Sequence, residues 1–134
     1  MKRSTMLVIT SLVSIVLLSV HFAGDVALGY EPGGRANLMV APILVVLLCG
    51  TLLLANQRAG YVLMFLCAII ALGMPYIHLG GKGVGAGSRV AGSSDALVFI
   101  WTLLALGVTG LFSLVLLTVE LWSQMRARSR SRDV

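Results

Sequence analysis

The sequence predicts an all-α integral membrane protein, a four-helix bundle running up-down-up-down with both termini cytoplasmic. Three observations carry that prediction. Four long apolar stretches, 4–24, 36–55, 60–79 and 96–122, each reach the roughly 20 residues that a helix needs to cross hydrocarbon. Of the 134 residues 58% are hydrophobic and only 11% charged, and the mean hydropathy is +1.00. A soluble domain carries about 25% charged residues, so this chain lacks the charge to cover a soluble surface. Thirdly, the basic residues gather on one side of the bilayer if the stretches alternate. Helices satisfy backbone N–H and C=O groups within each segment, as hydrocarbon demands, and the runs are too long and continuously apolar for barrel strands.

The first segment, 4–24, follows Met1-Lys2-Arg3 and ends at His21-Phe22-Ala23-Gly24. That pattern also suits a secretory signal. Cleavage after Ala23 or Gly24 would put His21 or Phe22 where a small residue is required, so a retained span is expected. Segment 36–55 carries Pro42 near its start, where a missing N–H costs least. It joins segment 60–79 through Asn56-Gln57-Arg58-Ala59, a tight turn that predicts an antiparallel hairpin. Pro75 lies inside the third segment and is expected to kink it. Segment 96–122 carries Gly107, Gly110 and Ser113 on one face, which suits close helix approach within the monomer or, alternatively, a dimer seam. In an up-down-up-down bundle spans one and three face each other across the diagonal.

The joints set the sidedness. Lys2, Arg3, Arg58, Arg126, Arg128, Arg130 and Arg132 share one side with Glu120 and Asp133, a net of +5. Asp25, Glu31, Arg35, Lys82, Arg89 and Asp95 fall on the other side and cancel. Basic flanks stay in the cytoplasm, and Tyr30, Tyr76 and Trp101 at the outer interface with Tyr61 and Trp122 at the inner one suit an aromatic belt. A multi-pass protein of a bacterial plasma (inner) membrane is expected. Its single domain spans 1–122, and its basic tail, 123–134, binds anionic lipid headgroups.

Chemistry is sparse. No Asp, Glu, Lys or Arg occupies the middle of a span, where proton- or cation-coupled transport needs a titratable group. The size and four-span plan resemble small multidrug transporters, but the first-span Glu of that family is missing and Thr10, Ser11 and Ser14 occupy its depth, so the resemblance is rejected. Glu120 lies near the cytoplasmic end and reads as an interfacial acid beside the basic tail. Cys49 and Cys67 form no CxxC and read as small hydrophobes. The Gly81–Ser88 run matches neither nucleotide-loop spacing, and the Arg-rich tail on a span favours lipid over nucleic acid.

One cluster remains. His21 and His78 sit near the outer ends of spans one and three, Asp25 follows His21 at i+4, and Tyr76 and Asp95 lie at the same level. Two imidazoles and a carboxylate suit zinc, copper or non-haem iron, and two histidines on facing helices suit a haem. The competing reading has each His bonded at the interface and Asp95 capping span four. With no catalytic motif, the expected role is a non-enzymatic accessory or assembly subunit of a larger membrane complex, or a homo-oligomer. The alternative is a metal- or haem-binding redox or metal-handling protein built on His21, Asp25 and His78.

Overall fold

Long apolar runs without internal charge have one way to satisfy their backbone in hydrocarbon, and the described residues take it, forming four helices. In the structure, a computed structural model describing residues 3–27, 39–80 and 96–130, the helices are α1 (Arg3–Ala27), α2 (Val40–Leu53), α3 (Arg58–Gly80) and α4 (Ala96–Arg130). Among the described residues there is no strand. The fold is an all-α bundle, and α1, α3 and α4 are long and apolar enough to cross a membrane.

Residues that meet across the bundle give the direction of each helix. At one end Leu7 of α1 packs with Met64 of α3 and Leu117 of α4. Midway, Ile15 and Leu18 cluster with Leu47 of α2, Ala71 and Leu106. At the other end His21, His78 and Phe99 are in ring contact. Numbers rise together along α1 and α3 and fall along α4, so α4 runs antiparallel to both. The turn at Leu54–Gln57 reverses α2 against α3. α1 and α3 touch across the diagonal, whereas among the described residues α2 and α4 do not meet. Arg3 and Arg58 open α1 and α3 at the same end to which α4 carries Arg126.

Two elements differ in extent from the sequence reading. α2 has 14 residues, about 21 Å at 1.5 Å each, against the 36–55 expected; residues 36–38 lie outside the described residues. It stops at Leu53 because Leu54 leaves helical geometry, at φ −112° and ψ 14°, and its C=O accepts from Gln57 N–H at 2.8 Å. Gly60 then passes so close to the Leu54 carbonyl that a Cβ would collide with it. At the far end α4 runs 35 residues, continuing to Arg130 instead of giving way to a tail after Trp122. Nothing from Gln124 to Arg130 breaks a helix, Ala, Arg, Gln and Met all favouring one. Ser123 Oγ donates to the Glu120 carbonyl, and the Arg126 guanidinium lies 4.1 Å over the Trp122 ring.

The small face of α4 is used inside the monomer. A Cβ on Gly110 would lie 2.7 Å from Leu72 N and 2.8 Å from Ala68 O, and one on Gly107 3.1 Å from Pro75 Cγ. Ser113 is buried on the same stripe, and Gly110 faces the buried Ala68 and Ala71 of α3. Close backbone approach of this kind is one of the forces that join helices in lipid, beside interhelical hydrogen bonds, because apolar side chains gain nothing by leaving the tails. A Ser14 Oγ bond to Thr109 Oγ1 at 3.0 Å ties α1 to α4 at mid-height.

Candidate metal centre

The site is assembled by helix period and by depth. His21 and Asp25 are one turn apart on α1, which continues past both to Ala27, so the two side chains share a face. That face points inward, and both residues are 3% exposed. α3 brings His78, 5% exposed, to the same height. Asp25 Oδ2 stands 3.5 Å from His21 Nε2 and 3.9 Å from His78 Nε2. One ligand atom from each of the three residues lies within 4.8 Å of the others.

Phe99 of α4 closes the cluster. Its ring centroid is 4.8 Å from that of His21 and 5.7 Å from that of His78, and the two imidazoles meet edge to face at 4.7 Å. The sequence reading missed Phe99, because a single aromatic in an apolar span gives no pattern that separates it from ordinary packing. Tyr76, expected at the same level, points away from the bundle and is exposed. Asp95 lies outside the described residues.

A carboxylate this deep is costly in hydrocarbon unless a cation or several donors face it. The two imidazoles supply a cation only if protonated. Nδ1 and Nε2 of His21 and Nδ1 of His78 are buried with no hydrogen-bond partner among the described residues. Three converging ligand atoms and orphaned imidazole nitrogens suit a divalent transition metal. Metal–ligand bonds of 2.0–2.2 Å would place tetrahedral ligand atoms roughly 3.3 Å apart. The separations, 3.5 and 3.9 Å at Asp25 Oδ2 and within 4.8 Å for the whole set, are wider than that, so holding an ion would draw the three side chains inward. Haem fits poorly: a planar macrocycle between His21 and His78 would have to part rings already in contact at 4.7 Å.

Beside the cluster a cavity of about 390 Å³ opens between α1, α2 and α3. His21, Asp25 and His78 form its polar end; Leu18, Leu47, Ile70 and Met74 are among its apolar walls. The cysteines lie elsewhere and are unbridged, Cys49 exposed and Cys67 buried with its Sγ 4.0 Å from the Ser11 carbonyl. No protein-family model, curated protein or solved structure matches the chain.

Proposed function

We propose that this chain is a metal-binding membrane protein that holds one divalent transition metal, of the zinc, copper or iron class, on His21, Asp25 and His78. The observation that supports it is the convergence of two imidazoles and a carboxylate from two helices, all buried, with ligand atoms within 4.8 Å. Three protein ligands with a further coordination position open are the pattern of catalytic and transfer sites rather than of closed structural ones. The sidedness of the charges supports a multi-pass protein of a bacterial plasma (inner) membrane with both termini cytoplasmic. The metal then sits in the outer half of the bilayer, facing away from the cytoplasm.

Elemental analysis for iron, copper and zinc on detergent-purified protein tests this, alongside a His21→Ala/His78→Ala double variant. Near-stoichiometric metal in the natural chain, lost in the variant, is the expected result. Equal trace metal in both samples would sink the metal centre. The three residues would then form a buried ion pair, and a non-enzymatic accessory or assembly subunit, favoured by the lack of any catalytic motif in the sequence, would become the better reading.

A further inference from the structure

The cavity beside the cluster has a polar end and an apolar body, and the two describe one kind of occupant. Its volume of about 390 Å³ falls within the range of small-molecule sites, which are mostly apolar with a few convergent polar groups. From His78 down to Ile70 the wall descends eight residues of α3, about 12 Å. At roughly 30 Å³ per methylene-sized group the space holds on the order of a dozen heavy atoms, one alkyl chain and not two. Ile43 of α2 and Ile77 of α3 line it and are also half exposed, and apolar side chains on the outside of a membrane-spanning bundle face acyl chains. Among the described residues α4 contributes nothing to the lining.

Charge selects the head group. Counting the described residues, a dication held by two neutral imidazoles and one carboxylate would carry a net positive charge at a depth where an uncompensated charge is costly. An anionic oxygen in the open position neutralises it. Resting on the metal-centre reading above, we infer that the cavity binds a single-chain fatty carboxylate. Its alkyl tail runs down toward Leu47 and Ile70, and its carboxylate coordinates the metal held by His21, Asp25 and His78. The ligand enters from the bilayer between α2 and α3, past Ile43 and Ile77.

The test loads the purified full-length protein, in an uncharged detergent, with Co²⁺, whose visible absorption reports coordination number and ligand type. Dodecanoate is compared with hexyldecanoate, a carboxylate whose two alkyl branches partition into micelles at least as well but are too wide for the slot. The spectrum is expected to change at a dodecanoate concentration about tenfold or more below that needed for hexyldecanoate. Ile70→Trp, two turns below His78, and separately Leu47→Phe, are expected to keep the Co²⁺ spectrum and abolish that preference. Equal responses to the two acids, or a preference that survives both variants, would overturn the fatty-carboxylate site while leaving the metal centre standing. A spectrum showing no Co²⁺ bound through His21 and His78 would remove the metal centre and this inference with it.

Discussion

At the residue scale, Asp25 and Phe99 do different work in the same cluster. Asp25 brings the negative charge of the described cluster, and its Oδ2 lies between two imidazole nitrogens at 3.5 and 3.9 Å. Phe99 brings no ligand atom but packs on both imidazole rings and limits how they turn. Partners that orient ligands without touching the metal typically account for 10–100-fold in affinity. Phe99→Ala is therefore expected to weaken Co²⁺ or Zn²⁺ binding about tenfold, and Asp25→Asn, which keeps the shape and removes the charge, by more than the upper end of that range. Competition titration against a chromogenic chelator reads both. An Asp25→Asn protein that binds as tightly as the natural chain would take the carboxylate out of the ligand set. His21, Asp25 and His78 were legible in the sequence because ionisable groups are rare in spans and their spacing put them at one depth. That they touch, and that Phe99 rather than Tyr76 joins them, depended on which way each helix faces.

Among the elements, the seam between α3 and α4 brings helix backbone against helix backbone, and its glycines separate packing from propensity. A Cβ on Gly110 meets backbone atoms of α3, which cannot swing aside as a flexible side chain can. One on Gly73, also in a helix, meets nothing within 4 Å. Gly110→Ala is expected to force the helices apart and cost about 1–3 kcal/mol, the usual range for overpacking. Gly73→Ala is expected to be neutral or to gain up to about 1 kcal/mol, because alanine favours a helix over glycine. Unfolding in mixed micelles distinguishes them; equal shifts for both would mean the seam is looser than its contacts. The sequence identified the small face of α4 but left its partner open. Pairing with Ala68 and Ala71 of α3 is a matter of tertiary register, invisible to a scan along one helix.

For the whole molecule, helix length singles out α2. Its 14 residues cover about 21 Å, short of a hydrocarbon core of about 30 Å, while α4 at 35 residues overruns it. If α2 crosses together with the turn that follows it, an even number of crossings returns the C-terminus to the side of the N-terminus. A fluorescent reporter that matures only in the cytoplasm is expected to be active when fused at either end, and an export-dependent reporter inactive at both. Opposite behaviour of the two ends would mean that α2 turns back within the bilayer. The common placement of Arg3, Arg58 and Arg126 at one end of the bundle agrees with the even count.

Hydropathy is a local property, so the sequence by itself determined that the chain is helical and membrane-embedded, where its three longest helices lie, and which ends carry the basic charge. Helix ends were less legible: α2 stops where a turn hydrogen bond and the close pass of Gly60 take over, and α4 runs on because its last residues favour a helix. What only the tertiary structure decided was rotation and relative depth. Those follow from the glycine and alanine seam between α3 and α4 and from the Ser14–Thr109 bond between α1 and α4. They turn His21, Asp25 and His78 onto one another and open a cavity beside them, because in lipid the fit of small surfaces, and not hydrophobicity, sets how helices face.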